Sequence, residues 1–331
     1  MHQESTLERI EVPPIPSAGR VAVERGGPER IVSIDVLRGL VMAVLPAATS
    51  GCASAPASGE ASSAPPPVER VARELRTGAK SVIVFVFAGD KEYVATGGAR
   101  RPTGYQRFRV GSVTKTFTAT IVLKLVEEGA LRLDSALEDH VPRVIPRGDE
   151  ITIRQLLQHR SGLANVTEYP SWLERALESS SIRPIDTLRF AGSKPLAFAP
   201  GSQGRYSNTN YIALGLVIEK VTGHSYAREL EQRILEPLGL DDTELPKSRR
   251  LPDLDDGGYN PNVPWAAGAI VSNAHDLSRF YSALLSGRIL PALLHALVGE
   301  LQALRFGVRL AETGSGAGDV LGRLGEQVNR S

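Results

Sequence analysis

The chain has 331 residues, of which 42% are hydrophobic and 23% charged, with 38 basic and 37 acidic side chains. A formal net charge of +1 without any block of like charges argues against nucleic acid as a partner, since that needs a clustered basic face. One cysteine excludes an internal disulfide, and the six histidines show no zinc-binding spacing. We therefore expect neither a metal nor any other cofactor.

The N-terminal part of the chain changes composition twice. Residues 1–29 are polar and lack periodicity, which predicts a disordered leader. Residues 30–52 contain an uncharged stretch that is too short to span a bilayer of ~30 Å but is typical of the apolar part of an export signal. Because it ends at Cys52, the segment resembles a bacterial lipoprotein signal with Cys52 as the lipidated residue. A plain secretory signal, cleaved shortly after Cys52, is the alternative.

A linker follows this signal-like segment. Fourteen of the fifteen residues from 53 to 67 are Ala, Ser, Pro or Gly, a composition that forms a tether rather than a core. We expect the protein to be exported to the extracellular space or cell envelope, with membrane anchoring through a lipidated Cys52. The folded domain is expected at residues 68–331, as a monomer.

Periodic apolar patterns begin after the linker. A helical turn is predicted at residues 68–77, and apolar runs at 81–89 and 93–96 predict two strands joined by a tight turn. A long helix with one apolar stripe is predicted from Ser112 to a stop at Gly129. Further helices are predicted at residues 153–159, 172–178, 211–222, 225–234 and 274–285.

Ser112 and Lys115 stand three residues apart at the start of the long helix, so their side chains lie on the same face. The helix dipole and the free N–H groups there favour a developing alkoxide and can supply part of an oxyanion hole. Lys115 can accept the serine proton only if burial lowers its pKa toward neutrality. When it stands alone, such a pair is more often a helix cap beside a solvated lysine.

A second polar group, Tyr206-Ser207-Asn208, lies in a turn-rich loop 94 residues after Ser112. A phenol near a lysine can relay a proton to a leaving group, and an asparagine amide can bind the acyl amide of a substrate. The alternative is a loop tyrosine followed by a capping asparagine.

Four blocks of sequence in this order carry a family resemblance. They are GSVTKTFTATIVLKLVEEGALRLD from Gly111, ITIRQLLQHRSGL from Ile151, APGSQGRYSNTNYIALGLVIEKVTG from Ala199 and WAAGAIVSNAHDLSRFYSALLSGRIL from Trp265. Together they resemble the serine β-lactamase and D-alanyl-D-alanine carboxypeptidase superfamily, in particular its class C β-lactamase-like, actinobacterial carboxypeptidase branch. The resemblance implies an α/β fold, in which an antiparallel sheet flanked by helices joins a helical domain, with the site at their junction.

The resemblance also implies a role for each matching residue. Ser112 would be the acylated nucleophile, and its backbone N–H would form half of the oxyanion hole. Lys115 would be its base or activator, Tyr206 the proton relay and Asn208 a substrate-binding amide. Trp265 would line the substrate cleft, although a buried core position is at least as common for such a residue.

His159, in the block LLQHRSGL, is a candidate general base by residue type. The family treats this block as scaffold, so we expect a structural role for His159.

The third motif of the family is altered in this chain. The local match follows Phe306 and runs from Leu321 to Gly325, with Arg323 in place of the usual His or Lys and Leu324 in place of a small or hydroxyl residue. Arg323 keeps a positive charge suited to a substrate carboxylate, and with Gly325 it would bind substrate. Leu324 removes a hydrogen-bonding group, so we expect impaired turnover.

The sequence ends six residues after Gly325, where family members continue into further strands and a closing helix. We therefore expect a domain that is incomplete at its C-terminus and less stable.

The expected function is a serine hydrolase that acts through a Ser112 acyl-enzyme on a small partner, either a D-Ala-D-Ala peptide or a β-lactam. Two alternatives stay open. One is an esterase or amidase on the same fold, and the other is a degenerate member that binds cell-wall peptide without turnover.

Overall fold

The computed structural model describes residues 40–44, 82–88, 91–97, 105–249 and 260–290, all within the compact unit Ile34–Ser331. Strands β2 (Val82–Ala88) and β3 (Lys91–Gly97) pair antiparallel. This confirms the predicted strand, turn and strand. The helical turn predicted at residues 68–77 lies outside the described residues.

Strand β1 (Leu40–Val44) pairs with β2 in parallel and is not predicted by the sequence pattern. Its sequence, LVMAV, lies inside the segment expected to be an export signal. A five-residue apolar run fits a buried strand as well as a signal core, so periodicity alone does not separate the two. Export of the chain stays a prediction.

Helices form most of the described chain after residue 105. In chain order they are α1 (Thr114–Glu127), α2 (Leu137–His140), α3 (Ile153–Leu157), α4 (Pro170–Glu178), α5 (Pro184–Gly192), α6 (Asn208–Thr222), α7 (Tyr226–Leu230), α8 (Glu236–Leu238), α9 (Trp265–Gly268) and α10 (Ala274–Leu285). Short 3₁₀ turns lie at Gly111–Val113, Gly148–Glu150 and Val166–Glu168, and the strands β4 (Phe108–Arg109) and β5 (Val271–Ser272) pair antiparallel.

The helices predicted after residue 105 are present. The one predicted at residues 274–285 has the predicted bounds, and the others differ from the prediction at one or both ends. The long helix opens with a 3₁₀ turn before α1, and the helix predicted at 225–234 divides into α7 and a π-helical turn, Glu231–Leu235. The pattern does not predict α2, α5, α9 or the three-residue α8. Two of these have four residues each, too few to show a period, whereas the proline at the first position of α5 is a start signal that could have located it.

Helix α1 lies at the centre of the core and packs against α6 and α9. Every residue of α1 from Thr114 to Leu123 is buried, as expected for a helix enclosed on all sides. On it Phe117 stacks on Phe280 of α10 with ring centroids 3.9 Å apart. Helix α10 also contacts β1 and β2, so the sheet and the helical region are joined through it.

Candidate active site

Ser112 lies on the 3₁₀ turn that leads into α1. Gly111, just before it, has a φ of +52°, a left-handed conformation that favours glycine. The backbone N–H of Val110 donates to the carbonyl of Ile270 at 3.0 Å, which fixes this turn to the segment before β5. Ser112 is therefore held at the N-terminal end of a rigid, buried helix.

Lys115 lies one turn further along, and only 4% of its surface is exposed. Its Nζ donates to Ser112 Oγ at 3.2 Å, to Asn208 Oδ1 at 2.8 Å and to the carbonyl of Ala267 at 2.5 Å. Burial lowers the pKa of Lys115 from 10.5 to about 7. The structure thus meets the condition under which this lysine can accept a proton near neutral pH.

Tyr206 approaches Ser112 from the loop before α6. Its Oη lies 2.6 Å from Ser112 Oγ, and its ring centroid lies 5.0 Å from Lys115 Nζ. Asn208 is the first residue of α6. The structure therefore brings together the four side chains that the two sequence motifs place more than ninety residues apart.

This geometry allows the Ser112 proton to move to Lys115. A neutral amine keeps two N–H groups, which can donate to Asn208 and Ala267, and its lone pair then faces Ser112 Oγ. Since the pKa is about 7, a large fraction of Lys115 is neutral at pH 7. Tyr206 Oη contacts the same serine oxygen and can pass a proton to a leaving group.

Contacts at both ends of its amide orient Asn208. Lys115 and the Tyr206 hydroxyl donate to its Oδ1, at 2.8 and 3.3 Å, which assigns the oxygen end. Its Nδ2 donates to Asn165 Oδ1 and to Thr167 Oγ1, both at 3.3 Å. The sequence analysis does not identify Asn165 and Thr167 as site residues. The one feature of the sequence that could have located them is their position just after the HRSGL segment.

His159 packs against the loop that carries Tyr206. The two ring centroids are 4.6 Å apart, and His159 Nδ1 accepts from the Ser207 backbone N–H at 3.3 Å. Asn210 Nδ2 lies 3.1 Å from the same nitrogen. These contacts place His159 as a support for the loop, with its Nδ1 facing buried donors rather than Ser112.

Trp265 begins α9 and is buried, with 6% of its surface exposed. Its ring packs edge-on against Tyr226, with centroids 5.3 Å apart. A Cβ at Gly215 of α6 would lie 2.6 Å from the Trp265 ring, so only glycine allows this approach. Trp265 therefore lies in the core, which is one of the two positions that the sequence analysis gives for it. It also sets the position of Ala267, whose carbonyl accepts from Lys115.

The remaining predicted site residues, Cys52, Arg323 and Gly325, lie outside the described residues, as does Leu324. In the parts of the chain that the structure describes, no three His, Cys, Asp or Glu side chains come close enough to hold a metal ion. Among the helices of those same parts, none is long and apolar enough to cross a membrane.

Known proteins resemble this chain both in sequence and in fold. "Protein flp" of Staphylococcus aureus (strain COL) is 34% identical over 158 residues, which cover 46% of this chain and 31% of that protein. "Penicillin-binding protein 4" of Amycolatopsis lactamdurans is 34% identical over 169 residues, covering 48% and 42%. The chain thus spans less than half the length of these curated relatives.

A solved structure of a D-stereospecific amidohydrolase from Streptomyces sp. matches with a TM-score of 0.62 and 35% identity, covering 70% of this chain and 75% of that one. The family model described as Beta-lactamase matches residues 68–327. The match begins where the sequence predicts the folded domain and includes all four clustered side chains. The chain belongs to the beta-lactamase family, with the α/β fold that its sequence predicts.

Proposed function

We propose that this protein is a serine hydrolase that forms an acyl-enzyme at Ser112 and cleaves the amide bond of D-Ala-D-Ala peptides or β-lactams. The observation that carries the proposal is the position of Ser112 Oγ, 2.6 Å from Tyr206 Oη and 3.2 Å from Lys115 Nζ. A serine hydroxyl is a weak nucleophile unless a base adjoins it. Here a buried amine with a pKa of about 7 adjoins it.

Acylation follows from the positions of these groups. Ser112 Oγ attacks the carbonyl carbon while its proton moves to Lys115 Nζ, and the backbone N–H of Ser112 donates to the oxyanion. When the C–N bond breaks, a proton passes from Lys115 through Tyr206 to the leaving nitrogen. Water then attacks the ester carbonyl carbon and gives a proton to Lys115. The bond between that carbon and Ser112 Oγ breaks, the proton returns from Lys115 to Oγ, and the acid leaves.

Two similarities support a substrate with D-configured residues. One relative is named a penicillin-binding protein, and one similar solved structure is a D-stereospecific amidohydrolase. A β-lactam contains a strained cyclic amide and a terminal D-Ala-D-Ala contains an open one, so the same acylation step serves both. The amide of Asn208, next to Lys115, is placed to bind the substrate's acyl amide.

A second candidate is an amidase that acts on simple D-amino acid amides. The Streptomyces structure favours this candidate, because the match covers 75% of that chain. The matches to the two curated relatives cover a smaller share of those proteins. A panel of a chromogenic cephalosporin, a D-Ala-D-Ala peptide, a D-phenylalanine amide and a short-chain ester separates these activities. A degenerate, non-catalytic member would bind the peptide and turn over none of the four.

Labelling with a fluorescent penicillin tests the assignment of Ser112. We expect wild type to be labelled and Ser112→Ala to show no label, because the variant has no atom to acylate. Ser171→Ala is the matched control, since Ser171 is an exposed serine at the start of α4, and it should label like wild type. Retained labelling of Ser112→Ala would exclude this serine as the nucleophile.

A further inference from the structure

Thr167 contacts the one side chain of the site that is placed to bind substrate amides. We propose that its hydroxyl determines specificity by occupying, in the free protein, the position on Asn208 Nδ2 that the acyl amide carbonyl of a substrate takes on binding. This inference rests on the proposed function, in which Asn208 binds that amide. It adds a competing group to the site.

Both donors of Asn208 Nδ2 are already used. The amide nitrogen has two hydrogens, and it donates to Asn165 Oδ1 and to Thr167 Oγ1, each at 3.3 Å. The amide cannot be turned around, because its Oδ1 accepts from Lys115 at 2.8 Å. A substrate carbonyl therefore binds Nδ2 only by replacing one of these two acceptors.

Thr167 is the acceptor that can be replaced. Asn165 Oδ1 also accepts from the Asn208 backbone N–H at 3.1 Å, so moving it would break a second bond. Thr167 Oγ1 makes no other hydrogen bond to the described part of the chain, and Thr167 is only partly buried, on a three-residue turn. Rotation about its Cα–Cβ bond would let water solvate the displaced hydroxyl.

This exchange lowers the preference for substrates that carry an acyl amide. Such a substrate replaces one neutral hydrogen bond by another, so the net gain is small. A substrate without that carbonyl leaves the pair of Thr167 and Asn208 intact. If the hydroxyl is removed, Nδ2 has an unpaired donor in the free protein, and the substrate carbonyl then gains a full hydrogen bond.

Two penicillins test the inference with one reaction. Benzylpenicillin has a side-chain amide carbonyl, whereas 6-aminopenicillanic acid has the same nucleus with a bare amino group. The measurement is the second-order rate constant for acylation of Ser112 by each compound, from intact-protein mass spectrometry. The ratio of the two constants is taken on one protein sample, so any inactive fraction cancels.

We expect Thr167→Val to raise the ratio of benzylpenicillin to 6-aminopenicillanic acid about two- to tenfold. Thr167→Ser keeps the hydroxyl and should keep the wild-type ratio. An unchanged or lower ratio in Thr167→Val, with wild type acylated normally, overturns this inference and leaves the proposed function standing. If neither compound acylates wild type, the proposed function fails and this inference fails with it.

Discussion

The two sides of the site are built by different forces. On the helix side, Lys115 belongs to a segment that is buried without interruption from Thr114 to Leu123, and Ser112 lies on the partly buried turn just before it. On the loop side, Tyr206 and Asn208 are partly buried. The ring of His159 packs on Tyr206, and Ser207 and Asn208 donate hydrogen bonds to acceptors in residues 159–167. One side is made by desolvation and the other by directed polar contacts.

The two sides of the site therefore have different roles. Desolvation changes how readily Lys115 holds a proton, so the helix side sets the chemistry of Ser112. Hydrogen bonds fix where Tyr206 and Asn208 lie, so the loop side sets geometry. Substitutions on the helix side should remove activity and its pH dependence, whereas those on the loop side should produce graded losses.

After the complete loss expected from Ser112→Ala, the largest effect is expected from Lys115→Met, which keeps an unbranched apolar side chain but removes the amine. We expect acylation by a penicillin to fall about a thousandfold, since a positioned base contributes roughly that much. Lys124→Met is the matched control because Lys124 lies on the same helix, nine residues further along, and donates to a backbone carbonyl. Near-normal acylation of Lys115→Met would remove Lys115 from the mechanism.

The pH dependence of acylation gives the next largest effect. Lys115 acts as a base in its neutral form, and burial lowers its pKa to about 7. The rate constant should therefore fall about tenfold per pH unit below pH 7 and level off above it. A flat profile from pH 5 to pH 8 would contradict this role.

The same lowered pKa predicts how stability changes with pH. Between pH 7 and pH 10.5 the unfolded lysine binds a proton that the folded one releases, so the unfolding free energy should rise with pH in this window. Lys115→Met should flatten that rise. Urea unfolding of both proteins at several pH values measures it.

Sequence patterns predict the helix side better than the loop side. The stripe that includes Phe117 and the spacing of Ser112 and Lys115 follow from local periodicity, so the amino-acid sequence alone is enough to place this helix. The partners of the loop depend on the fold. Asn165 and Thr167 lie more than forty residues before Asn208, in a segment without a period, and nothing local indicates that they meet it.

A smaller effect is expected from His159→Phe, which keeps a ring against Tyr206 but removes the acceptor. The buried N–H groups of Ser207 and Asn210 would then lose the nitrogen that accepts from them, and we expect acylation to fall about tenfold. His159→Asn should keep much of the activity, because Asn tolerates the left-handed φ of 57° at this position and its carbonyl can accept. Equal losses in both variants would indicate a general packing defect.

The smallest effect is expected from Glu168→Gln, at the outer edge of the loop side. Glu168 pairs with Arg205, which precedes Tyr206, at 2.8 Å, and about half of each side chain is exposed. Exposed pairs of this kind stabilise by about 0.2–1 kcal/mol and are screened by salt. Acylation should fall by less than about fivefold at low ionic strength, and the difference should shrink in 0.5 M salt, where the screening length falls to about 4 Å. A loss larger than this that salt reduces would mean that the loop side depends on charge as well as on hydrogen bonds, which would contradict the contrast between the two sides.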